Sequence, residues 1–201
     1  MNDVKSQAAA RRKALTDDKV RSEAAITLVT FMLEEETYAL DIGQVREILE
    51  FTSVTKVPQT PDFVRGVINL RGSVVPVVDL KLKFGMKQTE KTVNTRILVT
   101  EVDVDGDVAV IGALADAVHD VVEMEPHEIG PPPKIGTRLS VEFIRGMGRK
   151  DDEFIIILDF EKVFSSEELS AVQSLEDAPA GEETGLAEEP LDEENSVSDD
   201  Q

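Results

Sequence analysis

From Ile26 onward the chain breaks into short apolar runs separated by polar turns. Ile26–Leu33 is β-branched and apolar, Glu34-Glu35-Glu36 interrupts it, and Thr37–Ile42 resumes, a pattern that predicts a hairpin. Val45, Ile48 and Leu49 then fall at i, i+3 and i+4, which predicts one short helical face. Val54–Val57 reads as a strand stopped by Pro58, and Val67–Leu70 with Ser73–Leu80 reads as a second hairpin around Arg71-Gly72. Pro76, lacking an N–H, places the second of these runs at an edge or a bulge. Met86–Asn94 is polar and reads as a surface connection. Thr95–Val104 and Asp107–Ala115 flank Asp105-Gly106, a pair suited to a two-residue type I′ turn, in which both central residues need φ > 0. A Pro-rich loop, Met124–Pro133, precedes a last strand pair, Phe143–Gly148 and Glu153–Phe160, around Arg149–Asp152. Ser165-Ser166-Glu167-Glu168 is a capping-box candidate for a short helix reaching about Leu175.

The second half repeats the first. Phe63-Val64-Arg65-Gly66 recurs 80 residues on as Phe143-Ile144-Arg145-Gly146, and Asp79, Leu80 and Phe84 meet Asp159, Phe160 and Phe164 at that offset. Leu28-Val29-Thr30 matches Leu98-Val99-Thr100 at offset 70, and Val45-Arg46-Glu47-Ile48 matches Val118-His119-Asp120-Val121 at offset 73. A long repeat used twice predicts two similar β-subdomains of about five strands each, not a solenoid.

Charge redraws the limits of the folded part. The net charge of −20 is uneven: residues 1–25 carry +2, residues 26–164 carry −9, and residues 165–201 carry 13 acidic and no basic residues. Residues 1–25 read as a flexible or helical extension. From Glu176 the chain is too poor in apolar residues to offset its ordering entropy and reads as a disordered acidic tail. The expected organisation is therefore an extension over 1–25, a folded unit over 26–169, and a helix end plus tail over 170–201.

Composition also removes several kinds of chemistry. With no Cys there is no disulfide framework, thiol nucleophile or Cys-based zinc site, and two His leave little for a metal centre. The acidity disfavours nucleic acid as a partner. Arg11-Arg12-Lys13 is followed by no apolar h-region, and Ala109–Ala115 and Phe154–Leu158 are far short of the ~18 residues of a spanning helix, so the expectation is a cytoplasmic protein without membrane insertion. There is no phosphate-binding loop and no G-x-S-x-G elbow, and Gly146-Met147-Gly148 lacks the third Gly of a dinucleotide fingerprint. Glu101, Asp103, Asp105 and Asp107 mimic a calcium loop, but position 12 would be Gly112, so a charged hairpin tip fits better. Glu34–Glu36 reads as a solvated turn, and His119 and His127 as surface or partly packed residues. No catalytic, metal-binding or cofactor-binding residues are assigned.

A few surface candidates remain. Arg71 occupies a hairpin tip where turn chemistry prefers Asn or Asp, which leaves it either an ordinary exposed turn residue or a functional one. Arg65 and Arg145 precede the paired glycines, and Glu47 would on its own be an ordinary solvated acid. Taken alone, these residues describe a two-part β-protein whose default class is binding.

The run Thr60-Pro61-Asp62-Phe63-Val64-Arg65-Gly66-Val67-Ile68-Asn69-Leu70-Arg71-Gly72-Ser73-Val74-Val75-Pro76-Val77-Val78-Asp79-Leu80 resembles the central signature of CheW-type chemotaxis coupling proteins. Tyr38–Ile42, Val45–Ile48, Ala115–Val121, Pro131-Pro132-Pro133 and Phe143–Gly146 follow in the family's order, so the resemblance runs from about Leu28 to Leu169. It implies two five-stranded SH3-like β-barrel subdomains, about 26–90 and 91–164, with strand exchange between them left open. It implies a non-catalytic adaptor at receptor arrays, binding the cytoplasmic tips of methyl-accepting chemoreceptors and the regulatory domain of the histidine kinase CheA. Carried over by position, the receptor-contacting residues would be Val45, Glu47, Gly66 and Arg71, while the kinase-contacting residues stay unassigned. Three other readings compete: a CheV-like fusion, disfavoured because the residues after Phe164 are too few and polar for a receiver; the regulatory end of a CheA kinase; and a small β-barrel hydrolase, which would need a carboxylate titrating near neutral pH in a closed cleft.

Overall fold

The computed structural model describes residues 24–104, 106–132 and 139–176. Residues 1–23 of the expected N-terminal extension and all of the acidic tail beyond Glu176 lie outside the described residues. Ten strands follow in chain order: β1 (Ile26–Leu33), β2 (Glu36–Asp41), β3 (Val45–Glu50), β4 (Val64–Leu70), β5 (Ser73–Asp79), β6 (Arg96–Val104), β7 (Asp107–Ala115), β8 (Ala117–Met124), β9 (Ile144–Lys150) and β10 (Glu153–Leu158). Three helices accompany them: α1 (Leu80–Lys83), α2 (Phe160–Val163) and α3 (Ser166–Glu176).

The strands form two five-stranded sheets, each the size of an SH3-like barrel, in the orders β8-β1-β2-β10-β9 and β3-β6-β7-β5-β4. The sheets do not divide at residue 90. Hairpin β1–β2 joins the C-terminal strands, hairpin β6–β7 joins the N-terminal ones, and each is sewn in by a parallel pairing, β2 with β10 and β5 with β7. The repeat at offset 80 is reproduced in the ladders: Val64 and Gly66 face Val78 and Val77 across a bulge, and Ile144 and Gly146 face Leu158 and Ile157 across another. The Asp79 N–H bonds the Phe63 carbonyl at 2.8 Å, and the Asp159 N–H bonds that of Phe143 at 2.9 Å.

Most strands are buried on both faces. Leu28, Ala39, Val122, Ile155 and Ile157 fill one barrel, and Ile68, Val75, Val77, Ile97, Val99 and Leu114 fill the other. Their chain neighbours Val29, Val78, Leu98 and Leu158 point the opposite way into a third and larger cluster, joined by Phe31, Tyr38, Phe84 and Phe160. Period-two alternation between two buried faces is why runs such as Ile155–Leu158 are continuously apolar. Leu169, Val172 and Leu175 of α3 close this cluster. The capping box forms as read: the Ser165 hydroxyl accepts from the Glu168 N–H at 3.2 Å, and the Glu168 carboxylate accepts from the Ser165 N–H at 2.9 Å.

Four local readings change. Val45–Glu50 is an edge strand and not a helical face: Val45, Glu47 and Leu49 are half-buried while Arg46, Ile48 and Glu50 are exposed, a period of two imposed by the open edge of β6. Val54–Val57 supplies only a single bridge, Thr55 to Val67. Pro76 lies in an interior strand, but its partner Val67 turns its N–H and C=O away to Thr55, so no bond to β4 is lost, and pairing with β7 begins one residue later at Val77. Met86–Asn94 is pinned from within, because Thr89 donates its N–H and hydroxyl to the fully buried Asp79, both at 2.8 Å.

Candidate protein-interaction site

The β4–β5 hairpin turns on Arg71 and Gly72, at φ +53° and +93°. The Asn69 carboxamide oxygen accepts the Gly72 N–H at 2.9 Å, a local clamp that holds a non-glycine residue in the left-handed region. The matching turn in the other barrel, Asp151-Asp152, has φ +50° and +68°. Asp tolerates that region better than Arg does, so an Arg at the tip is chemically costly there and informative.

Arg71 reaches across the open end of its barrel to β3, where its Nη2 donates to Glu47 Oε2 at 2.9 Å. The Arg71 side chain is 80% exposed and that of Glu47 is 25% exposed, so the pair contributes at most about 1 kcal/mol to stability. Between them lies a groove of about 550 Å³ whose floor is the barrel's own apolar filling, Leu70, Val75, Val99 and Val110, with Arg46, Glu47 and Arg71 on its rim. An apolar floor under a few fixed charges suits an amphipathic helix laid across it.

Of the four residues carried over from the resemblance, the fold brings Glu47 and Arg71 together on this groove. Val45 and Gly66 are elsewhere. Val45 packs, half-buried, against the cluster between the barrels. Gly66 is buried at the β4 bulge with φ +134°, and a Cβ there would lie 2.0 Å from the Thr55 carbonyl oxygen. Arg65 turns inward and is half-buried, its Nη1 donating to buried Asp79 at 2.9 Å. Glu101 salt-bridges Arg46, and Glu36 accepts from the Tyr38 hydroxyl at 2.7 Å. His119 and His127 are both exposed. Among the described residues no cluster suited to a metal ion occurs.

Sequence reasoning missed Arg46 as a rim residue. The other barrel has a smaller equivalent hollow of about 120 Å³, whose lining includes Thr30, Thr37, Asp120, Lys150, Asp151 and Glu153. One barrel end therefore has an apolar floor under a charged rim, and the hollow at the other is lined mostly by polar and charged residues of both signs.

The CheW-like domain family model matches residues 27–168. The chain is 36% identical over 145 residues to a chemotaxis protein CheW of Klebsiella aerogenes, covering 72% of this chain and 85% of that one. It is 37% identical over 144 residues to a chemotaxis protein CheW of Rhizobium meliloti, covering 72% and 90% respectively. The protein FrzA of Myxococcus xanthus is 29% identical over 150 residues, covering 69% of this chain and 91% of that one. Among solved structures, the scaffolding protein TtCheW from Thermoanaerobacter tengcongensis aligns with a TM-score of 0.63 at 39% identity, covering 72% of this chain and 91% of that one.

Proposed function

Because this chain belongs to the CheW-like family, we propose that it is a non-catalytic adaptor coupling methyl-accepting chemoreceptors to the histidine kinase CheA. At the coarser level, it is a chemotaxis coupling or scaffold protein. The observation that carries the finer reading is the meeting of Glu47 and Arg71 over an apolar groove at one barrel end. The cytoplasmic tip of a receptor is a helical hairpin, and such a hairpin offers an apolar stripe flanked by charges. Glu47 and Arg71 set its register, and the valine and leucine floor takes its apolar side chains. Val45 and Gly66 serve the same surface from beneath, one by seating β3 on the inter-barrel cluster and the other by holding the β4 bulge tight. The kinase's regulatory domain meets a different face. The protein works in the cytoplasm at receptor arrays. Among the described residues, no helix is long and apolar enough to cross a membrane.

The test is co-sedimentation of the full chain with a receptor cytoplasmic fragment and with CheA. The chain is expected to pellet with both. Arg71→Glu is expected to weaken the receptor complex about tenfold or more, as for a central interface charge, while leaving the kinase complex and the thermal transition in place. Binding to neither partner defeats the adaptor reading. Equal loss of both complexes, or a collapsed transition, defeats the assignment of Arg71.

A further inference from the structure

In a regular strand, adjacent side chains point to opposite faces, yet Arg46 and Glu47 both line the same groove. The cause is a bulge. Val45 lies opposite Thr100 and Glu47 opposite Val99, so Arg46 is the extra residue with no partner across the ladder. A bulge re-aims a side chain in this way, and such irregularities recur beside functional sites.

We propose that Arg46 is a partner-selecting residue, one that engages an acidic side chain on the helical segment seated in the groove. The inference rests on reading that groove as the receptor surface. Together with Arg71 it gives the rim two guanidinium groups, each planar and able to hold a carboxylate with two parallel bonds. The Arg46 side chain is half exposed, and among the described residues it pairs with Glu101 on β6, itself 42% exposed. An ion pair that open to water is worth little and exchanges readily. Glu101 therefore parks the guanidinium on the rim until a carboxylate of the incoming helix replaces it. A helix carrying Lys at the position facing Arg46 offers no acceptor there and meets a like charge.

A role in contact and a role in bracing predict different signs. If Arg46 only braces β3 through Glu101, then Arg46→Met and Glu101→Gln remove the same brace and weaken binding alike. If Arg46 meets the partner, Glu101→Gln frees it and leaves binding unchanged or about twofold tighter, whereas Arg46→Met weakens it severalfold and Arg46→Glu about tenfold. The measurement is the dissociation constant of the full chain for a soluble receptor cytoplasmic fragment, with thermal transitions recorded for each variant. Changing acidic residues of the fragment tip to Lys one at a time is expected to restore binding to Arg46→Glu at a single position. Parallel losses for Arg46→Met and Glu101→Gln, or no rescue at any position, overturn the proposal. An unaffected Arg46→Glu beside a weakened Arg71→Glu overturns it while leaving the groove assignment standing. If neither substitution matters, the groove assignment fails with it.

Discussion

At the scale of single residues, the positions that matter are those where local chemistry and local geometry disagree. Turn chemistry left Arg71 open between an ordinary turn residue and a functional one, the family resemblance singled it out, and the structure adds the φ of +53° and the Glu47 partner. Arg46 was not legible, because a bulge depends on the register between two strands and leaves no signature in one of them. Asp79 could be recognised as one half of a repeated pair, but its complete burial, with Arg65 and Thr89 around it, comes from tertiary packing. Gly66 shows the same limit. Its family role says contact, while its geometry says close backbone approach. Gly66→Ala is expected to destabilise the protein by about 3 kcal/mol, since the Cβ would meet the Thr55 carbonyl at 2.0 Å in a backbone conformation that L residues rarely adopt. Denaturant unfolding checks this, and any accompanying loss of receptor binding should follow the unfolded fraction.

At the scale of elements, hairpins were readable where a glycine marked the turn between two apolar runs, as Gly72 and Gly106 did. The β3 segment was misread because six residues can satisfy a helical spacing and a strand alternation at once, and only the free edge of β6 decides between them. Strand β8 went unread because its polar His119-Asp120 pair, beside a bulge against β1, breaks the apolar alternation. The capping box of α3 was fully legible, but its tertiary anchor was not. The Glu168 carboxylate also accepts from Lys83 Nζ at 2.5 and 2.6 Å, and that ammonium sits 4.8 Å from the Phe63 ring. Partial burial pushes the Glu168 carboxyl up, but the bonds from Lys83 and Ser165 and the charge of Lys83 outweigh it and hold the group below its usual value. A lowered carboxyl stabilises the fold above its unfolded value and loses that contribution as pH falls through the folded one. Wild type is therefore expected to exceed Glu168→Gln in melting temperature at pH 7, with the gap closing from about pH 5 downward. Ser165→Ala should cost about 1 kcal/mol by removing the helix cap.

At the scale of the whole molecule, the duplication was plain from repeated segments at offsets of 70 to 80, and so was the count of about five strands per unit. What the repeat could not convey is which hairpin belongs to which sheet, because exchanged and unexchanged arrangements bury the same residues on the same faces. Each barrel here is completed by a hairpin from the other half of the chain. Fragments 24–90 and 91–176 produced separately are expected to stay unfolded by near-ultraviolet circular dichroism, and to regain a cooperative transition when mixed. Independent folding of either fragment would contradict the topology.

The parallel seam between β2 and β10 joins residue 37 to residue 155. The β1 edge of the first hairpin can pair with β8 as soon as that strand is made, but the β2 edge stays open until β10 has been synthesised, an interval on the order of ten seconds. Such distant pairings raise the contact order and slow folding. During that wait, β1 and β2 expose the side chains destined for the centre of the molecule, Phe31, Leu33, Tyr38 and Leu40, which makes this segment the natural client of a chaperone during translation.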